Sequence, residues 1–202
     1  MTRNINYISM VVLAVACLAA CGPKKRTEAD AARKAAVTVD TTLYVRVDRL
    51  GADSAHVTAL ENSRRFTFGY KEAAQAGKLV GEVREGDTIA IMPDFKRHAV
   101  RQGVNVSMLT GLWMLEGGDG SGMRLLADGG AYTVGTNGVT LKSWRVLNGQ
   151  MLVSYIMDDG SSYAELTDTS RIEVLEKDRL VMLLHGKQQT YHRNAGLITA
   201  GE

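Results

Sequence analysis

The chain has 202 residues and a nearly balanced charge, with 24 Lys and Arg side chains against 22 Asp and Glu side chains. This balance argues against a dedicated nucleic-acid-binding protein and against a disordered acidic tail. Hydrophobic residues make up 45% of the chain and charged residues 23%, as in ordinary globular proteins. The 21 glycines and 2 prolines favour many tight turns between strands.

Residues 1–20 have the pattern of a secretory signal peptide. Arg3 supplies a positive charge, and the apolar run from Ile8 to Ala20 is too short to span the hydrocarbon core of a bilayer. The run ends in Leu18-Ala19-Ala20-Cys21-Gly22, which resembles the lipobox of bacterial lipoproteins. This resemblance implies cleavage before Cys21 and lipidation of Cys21. An ordinary signal peptide with an incidental cysteine, or a buried N-terminal helix, is the alternative interpretation.

The lipid on Cys21 is expected to anchor the protein to a membrane, because more than one acyl chain gives stable attachment. Gly22 stands where an aspartate marks inner-membrane retention in enteric bacteria, so the resemblance favours the outer membrane. The residues that follow lack the acidic run of some surface-exposed lipoproteins, which favours the periplasmic face. Cys17 leaves with the signal peptide, so no thiol remains for disulfides, thiol catalysis or Cys-bound zinc. Residues 21–40 are expected to be a lipidated N-terminus and flexible tether.

Residues 41–106 are predicted to form a small β domain. Apolar and polar residues alternate from Leu43 to Asp48, which predicts a half-buried strand. Further strands are expected at 56–60, 66–70, 88–92 and 100–106. A short helix is predicted from Lys71 to Ala76, and Pro93 is expected to end the fourth strand. Five strands with a helix between the third and fourth resemble the OB-fold, a partly open barrel.

Residues 107–195 are predicted to form a second β domain, followed by a tail at 196–202. Short apolar runs alternate with turn dipeptides such as Asn148-Gly149, which favours a type I′ hairpin. The predicted strands are 111–116, 122–127, 130–135, 140–147, 150–157, 162–167, 170–176, 179–185 and 188–193. Eight or nine short strands joined by tight turns predict an up-and-down antiparallel barrel, so the whole chain is expected to be all-β.

The hairpin at Asn148-Gly149 can be paired from its side-chain pattern. A two-residue turn predicts that Val146 faces Met151, that Trp144 faces Val153, and that Lys142 faces Tyr155. One face of the hairpin then carries mainly large apolar side chains. A slip by one residue would expose that face, so the pattern favours this register.

Two short motifs at the ends of this domain carry a family resemblance. Gly111-Leu112-Trp113 opens the first strand, and Tyr191-His192-Arg193 closes the last. They resemble the lipocalin pattern, in which a Trp ring plugs the barrel floor and an Arg lies across it. The resemblance implies that Trp113 and Arg193 form a barrel-closing pair. The order of lipobox, OB-like domain and short lipocalin-like domain is similar to that of a class of bacterial lipoproteins.

The interior of the predicted barrel has two open interpretations. A barrel this short can be filled by its own side chains, as some small eight-stranded barrels are. It can also keep an apolar pocket, for which the candidates are Met114, Trp144, Met151, Val153, Tyr155 and Met157. A cavity above roughly 300 Å³ would favour the pocket.

Other kinds of site find little support in the sequence. No His lies at helical spacing from another His, so no metal site is expected, and no cofactor motif is present. There is no P-loop and no nucleophile elbow, so we expect no enzymatic activity. One group of basic and aromatic residues could bind single-stranded nucleic acid: Arg64, Arg65, Phe66, Phe68, Lys96, Arg97, His98 and Arg101. The expected envelope location argues against nucleic acid, and a solvated basic face is the alternative.

The sequence therefore predicts a lipid-anchored, non-enzymatic protein of the outer membrane that faces the periplasm. Its two β domains are expected to act as a binding module for an envelope protein, a glycan or a lipid. The alternative is a lipocalin-type carrier that holds a small apolar ligand in the C-terminal barrel. The partner and the ligand are not identified by any motif.

Overall fold

The computed structural model describes residues 39–135, 138–158, 163–184 and 186–194. The predicted signal peptide, Cys21, most of the tether and the C-terminal tail lie outside these residues. The described part from Asp40 onwards belongs to one compact unit and is built almost entirely from β-strands. Within the described ranges, no helix combines the length and the apolar character needed to cross a membrane.

Five of the first six strands form a closed barrel. The six are β1 (Leu43–Leu50), β2 (Ser54–Ala59), β3 (Arg65–Gly69), the two-residue β4 (Leu79–Val80), β5 (Thr88–Asp94) and β6 (Ala99–Asn105), with helix α1 (Lys71–Gln75) after β3. Hydrogen bonding runs β1-β2-β3-β6-β5 and returns to β1, with β3 and β6 parallel. The predicted barrel of five strands, with a helix between the third and fourth, is confirmed, and β4 is an addition at the edge of β6.

Pro93 does not end its strand as expected. It lies inside β5, at a shift in register between Met92 and Pro93. A proline has no N–H to donate to a neighbouring strand, and an irregularity of this kind accommodates it. The interior of this N-terminal barrel is apolar, with fully buried side chains such as Val45, Val47 and Phe68.

The remaining eight strands form a second, nearly closed antiparallel barrel. A short helix α2 (Val106–Leu109) leads into β7 (Gly111–Leu115), β8 (Gly122–Leu125), β9 (Ala131–Val134), β10 (Val139–Leu147), β11 (Gln150–Asp158), β12 (Tyr163–Leu175), β13 (Arg179–Leu184) and β14 (Lys187–Arg193). Consecutive strands pair, and β14 pairs with β7. Between β9 and β10 the barrel is closed by a bridge from Gly130 to Ser143 and a 2.9 Å hydrogen bond from Leu141 N to Thr133 Oγ1. The predicted fold class is confirmed, and the barrel has eight strands, within the predicted eight or nine.

The barrel has eight strands and not nine because β12 is continuous where the sequence predicts two strands. The two predicted strands, 162–167 and 170–176, leave a break at residues 168 and 169. In the structure Asp168 pairs with Val153 in the middle of an unbroken ladder between β11 and β12. Its carboxylate accepts a hydrogen bond from Tyr155 of the neighbouring strand.

The β10–β11 hairpin follows the predicted register near its turn. Asn148 and Gly149 both have positive φ, and Val146 faces Met151 while Trp144 faces Val153. Further along, Leu141 and not Lys142 faces Tyr155, because the register shifts between Leu141 and Ser143. Lys142 is the extra residue of a β-bulge, a feature that leaves no mark on the alternation of apolar residues.

The two barrels meet at one end of the C-terminal barrel. Tyr44 of β1 donates a hydrogen bond from its hydroxyl to Val146 O (2.9 Å) and accepts one from Val146 N (2.7 Å). Thr41 and Thr42 bond to Asn148 in the adjoining hairpin turn. Ala90 and Val104, from the N-terminal barrel, belong to the same buried cluster as Trp113 and Leu180 of the C-terminal barrel. Apolar contacts and hydrogen bonds therefore join the two barrels.

Candidate functional site

The end of the C-terminal barrel nearest the N-terminal barrel is closed by Trp113 and Arg193. Trp113 is fully buried, and its Nε1 donates a 2.8 Å hydrogen bond to Leu109 O in helix α2. The guanidinium carbon of Arg193 lies 4.2 Å from the centroid of the Trp113 ring, within the range of a cation–π contact. The two residues expected from the sequence to be a barrel-closing pair are therefore in direct contact.

Arg193 also binds the backbone of the segments that surround it. Its Nε donates to Lys177 O at 2.7 Å, its Nη1 donates to Thr110 O at 2.7 Å, and its Nη2 donates to Met108 O. Burial lowers the pKa of the Arg193 guanidinium, and the charge of Asp178 acts in the opposite direction. Arg193 thus connects β14 to α2 and to the turn before β13. We call Trp113 and Arg193 the floor of the barrel.

Next to the floor, large side chains fill the barrel. Trp144, Met151 and Leu180 are buried there, and Trp144 Nε1 donates a 2.9 Å hydrogen bond to Leu126 O. Trp144 and Met151 are two of the six candidates for an apolar pocket. Both are instead part of this packed layer, which leaves no room for a ligand at this end.

The opposite half of the barrel is hollow. It contains a cavity of about 370 Å³, which we call the cup. The described residues that line the cup are Leu115, Ser121, Gly122, Met123, Thr133, Val139, Leu141, Val153, Tyr155, Met157, Asp168, Ser170, Met182, Leu184, Gln189 and Tyr191. Half of them are aliphatic residues or methionines, and two more are tyrosines, so most of the wall is apolar.

Three of the candidate pocket residues, Val153, Tyr155 and Met157, line the cup. They alternate along β11 and therefore point to the same side of the strand. Met114 does not line it. It lies between Trp113 and Leu115, which both face the barrel interior, so its side chain points to the other face of β7.

Five of the seven polar side chains that line the cup, among them both tyrosines, lie on β11, β12 and β14. Tyr155 donates a 2.8 Å hydrogen bond to Oδ2 of Asp168, and this bond raises the pKa of the tyrosine. Tyr191 donates a 2.7 Å hydrogen bond to Oε1 of Gln189, and burial raises the pKa of Tyr191. These side chains place hydroxyl, amide and carboxylate oxygens on one part of an otherwise apolar wall.

Asp168, Gln189 and Tyr191 line the cup although the sequence does not single them out for it. Asp168 falls between the predicted strands 162–167 and 170–176, and no motif marks Gln189 or Tyr191 as part of a pocket. One signal does point to a strand at Asp168. Threonine is typical of strands, and Thr167 and Thr169 flank the aspartate on both sides.

The mouth of the cup lies away from the N-terminal barrel. Leu115, Met157 and Leu184 line the cup and stand at or next to the strand ends farthest from the Trp113–Arg193 floor. Met157 is 42% exposed, and Leu166 on the neighbouring strand is 40% exposed. The mouth therefore carries apolar side chains that water can reach.

A second depression, of about 640 Å³, lies on the N-terminal barrel. It is larger than the cup, and charged and polar side chains such as Asp48, Arg65 and His56 line it. It therefore lacks the mostly apolar wall of the cup. Phe66 packs against Phe68 and Phe95, with ring centroids 5.5 and 5.7 Å apart.

The residues considered for nucleic-acid binding do not come together in this depression. Of that set, Arg65 and Phe66 line it, whereas Phe68 is buried in the barrel core and offers no face on which a base could stack. Lys96, Arg97 and His98 lie in or beside the turn between β5 and β6. Among the residues described, no group of three or more His, Cys, Asp and Glu side chains is placed to hold a metal ion.

Comparisons with known proteins concern the C-terminal barrel. Residues 106–194 match a family model described as lipocalin-like. A solved structure of a lipocalin-like protein from Bacteroides thetaiotaomicron VPI-5482 is 23% identical, and the match covers 43% of this chain and 96% of that one, with a TM-score of 0.39. No curated protein matches the chain. The match to the family model supports the interpretation of the C-terminal barrel as lipocalin-like.

Proposed function

We propose that this protein is a non-enzymatic carrier of the bacterial envelope, anchored to the outer membrane by lipid on Cys21, that holds a small and largely apolar ligand in its cup. The observation that carries this proposal is the cavity of about 370 Å³ behind an open mouth. Small-molecule sites are typically concave, mostly apolar and about 300–1,000 Å³ in volume. The cup has all three properties.

The hollow half of the barrel favours a carrier over a module that binds partners through its outer surface alone. A barrel that serves only as a scaffold gains stability from a filled interior, because protein cores are close-packed. Here Trp144 and Met151 fill one half, whereas the other half stays open between Met123, Val153 and Met182. The lipocalin-like family match supports the same interpretation, since it covers the barrel that contains the cup.

The size of the cup sets the scale of the ligand. At about 30 Å³ per non-hydrogen atom, the volume that water occupies per molecule, the cup accommodates about twelve such atoms. At about 0.5 kcal/mol per atom, within the range seen for small ligands, the binding free energy would be about 6 kcal/mol. This corresponds to a Kd of about 40 μM, weak enough for a carrier to release its ligand.

The polar groups of the cup support binding and not catalysis. A tyrosine that acts as a general base needs a lowered pKa. The carboxylate of Asp168 has the opposite effect on Tyr155, because it accepts a hydrogen bond from the neutral hydroxyl and repels the phenolate. Tyr155 therefore stays protonated at neutral pH and serves as a hydrogen-bond donor.

A fluorescence titration tests the proposal. The chain from residue 22 to 202, which keeps every described residue, is titrated with N-phenyl-1-naphthylamine, a neutral apolar dye that brightens in apolar surroundings. Val153→Trp places a large ring in the cup, and we expect it to weaken dye binding at least tenfold. Ser154→Trp is the matched control, because Ser154 is the next residue of β11 and faces outward.

The control separates loss of the cup from loss of the fold. Thermal melts of both variants establish that each is folded at the temperature of the titration. Equal dye binding by the wild type and a folded Val153→Trp variant would contradict the carrier proposal.

A further inference from the structure

A depression of about 330 Å³ lies where the two barrels meet, and it shares no described residue with the cup. Lys78 and Arg101 line it from the N-terminal barrel, and Arg171 lines it from β12 of the C-terminal barrel. None of the described residues that line this depression is an Asp or a Glu. We infer that the depression, which we call the junction depression, binds the phosphate group of a small phosphate monoester. This inference does not depend on what the cup holds.

A bulge in β6 directs Arg101 towards the junction depression. Successive residues of a regular strand point to opposite faces, yet Arg101 and Gln102 both line the depression. Met92 of β5 pairs with Gln102. The next residue, Pro93, pairs with Val100, so Arg101 is the extra residue of a β-bulge. Bulges re-aim side chains and are frequent next to functional sites, which gives this irregularity a role beyond the accommodation of a proline.

Contacts with both barrels hold Lys78 and Gln102 at the edge of the junction depression. Lys78 N donates a 2.8 Å hydrogen bond to Ala73 O, and Lys78 O accepts one of 2.9 Å from Gly103 N. Gln102 packs so closely against the β10–β11 turn that a Cβ at Gly149 would collide with its side chain. The cation and the amide are therefore presented from fixed backbone positions.

The charge of the junction depression matches that of a phosphate monoester. Arg171 forms a 2.7 Å ion pair with Glu173. For Lys78 and Arg101, no carboxylate partner is found in the part of the chain that the structure describes. The three cations and Glu173 together leave a net charge of +2. A phosphate monoester carries about −1.5 to −2 at pH 7 and offers three acceptor oxygens, and the N–H groups of arginine match its geometry.

The rest of the wall indicates that the phosphate carries a small organic group. Val80, Met92 and Ile172 line the junction depression beside the cations and supply apolar contacts. At about 30 Å³ per non-hydrogen atom, the depression accommodates about eleven such atoms. Inorganic phosphate would fill roughly half of this space, and glycerol 3-phosphate would fill nearly all of it.

Calorimetric titrations with three small compounds test the inference. Glycerol 3-phosphate, inorganic phosphate and glycerol are each titrated into the chain from residue 22 to 202 at pH 7, in a buffer free of phosphate. We expect glycerol 3-phosphate to bind at least threefold more tightly than inorganic phosphate, and glycerol to give no measurable heat. Added sodium chloride should weaken both phosphate compounds, because salt screens their attraction to the cations. Absence of binding by glycerol 3-phosphate, or binding that glycerol equals, would overturn the inference.

Single substitutions locate the bound phosphate. Lys78→Gln and Arg101→Gln should each lower the affinity for glycerol 3-phosphate about tenfold. Lys96→Gln is the matched control, because it removes the same charge from the turn between β5 and β6 and Lys96 does not line the junction depression. We expect this control to keep its affinity within twofold, and thermal melts establish that all three variants are folded.

An equal loss in Lys96→Gln and Arg101→Gln would show only a general attraction between an anion and basic side chains, and it would overturn the inference. Unchanged affinity in folded Lys78→Gln and Arg101→Gln variants would do the same.

Vesicles distinguish two sources of the phosphate monoester. Phosphatidic acid presents this group at a membrane surface, so the chain from residue 22 to 202 is sedimented with phosphatidylcholine vesicles that contain or lack phosphatidic acid. Sedimentation that requires phosphatidic acid, is lost in Arg101→Gln and is kept in Lys96→Gln would assign a lipid head group. Binding of glycerol 3-phosphate without such sedimentation would assign a soluble phosphate ester. Either result sustains the inference, whereas failure of both glycerol 3-phosphate and the vesicles to bind overturns it.

Discussion

Arg193 packs so closely against Gly111 that position 111 has no room for a side chain. A Cβ at this position would collide with Nη1 of Arg193, the atom that donates to Thr110 O. Gly111 also has a φ of +135°, a conformation that L residues rarely adopt. The glycine of the Gly-x-Trp motif therefore permits the arginine of the last strand to reach the floor.

Replacement of Gly111 by alanine should destabilise the protein more than strain alone explains. We expect Gly111→Ala to lower the free energy of unfolding by about 2–4 kcal/mol, because it adds backbone strain and displaces Arg193. Gly117→Ala is the control: Gly117 also has positive φ, but no atom lies within 4 Å of the position that its Cβ would take. Urea denaturation measures both, and equal losses would show that the contact with Arg193 contributes nothing.

Arg193→Ala should lower the free energy of unfolding by more than the loss of a cation–π contact explains. The ring of Trp113 accounts for about 0.5–2 kcal/mol, and the sequence alone predicts a loss of about 1 kcal/mol. Because the guanidinium also bonds to three backbone carbonyls, we expect a loss of about 2–4 kcal/mol. Trp113→Ala should cost about 3–5 kcal/mol, as for other emptied aromatic sites.

A double-mutant cycle on Trp113 and Arg193 then measures their coupling. The two residues touch, so their losses should not add, and a coupling free energy of about 0.5–2 kcal/mol is expected. A coupling free energy of zero within error would mean that each residue closes the barrel independently of the other.

Tyr44→Phe should weaken the junction between the two barrels. It removes one hydroxyl that both donates to and accepts from the backbone of Val146, and it leaves that residue's backbone without these partners. We expect a loss of about 1–3 kcal/mol in the free energy of unfolding. Tyr70→Phe is a useful comparison, because the Tyr70 hydroxyl bonds to Gly51 O within the N-terminal barrel. A loss for Tyr44→Phe no larger than experimental error would contradict the role given to this contact.

The protein should lose stability in alkaline solution partly through Tyr191. Burial raises the pKa of Tyr191 above its usual value of 10.0, so the folded state holds this proton more tightly than the unfolded state does. The contribution is complete below pH 10 and is lost as the pH rises from there through the folded-state pKa. Tyr191→Phe should therefore reduce the slope of unfolding free energy against pH above pH 10. Tyr163→Phe, at an exposed strand end, should leave that slope unchanged.

Cys21→Ser should abolish lipidation, because a hydroxyl does not replace the thiol in acyl transfer. The measurement follows radiolabelled fatty acid into the wild-type protein and the variant expressed in a bacterial host. We expect label in the wild type alone. Equal label in both proteins would remove the support for a lipid anchor at Cys21.

Features that depend on short-range patterns could be predicted from the sequence. The turn at Asn148-Gly149 sets the pairing of Val146 with Met151, since both turn residues accept positive φ and the apolar face fixes the register. The bulge at Lys142 escapes such a prediction, because an extra residue on one strand is tolerated by many sequences.

Long-range contacts could not be predicted from the sequence, because they join residues that no local pattern connects. The pattern around Tyr44 predicts a strand, but nothing in it indicates that the hydroxyl reaches Val146 in another barrel. The predicted break between residues 167 and 170 is wrong, because pairing with β11 keeps β12 continuous through Asp168. Whether the barrel is hollow depends on the size of the inward-facing side chains at each height along its axis. These side chains come from all eight strands, so the cavity can be recognised only when the register of every strand is known.

The separation of the floor from the mouth has a consequence for how this protein can diversify. The hydrogen bonds of Tyr44 and Asn148 join the two barrels at the closed end, and neither residue is among the described residues that line the cup. In the proposed carrier, substitutions at the open end can therefore change which ligand is accepted while the hydrogen bonds that attach the barrel to the rest of the chain are preserved. Ligand preference and the stability of the junction can thus change independently of each other.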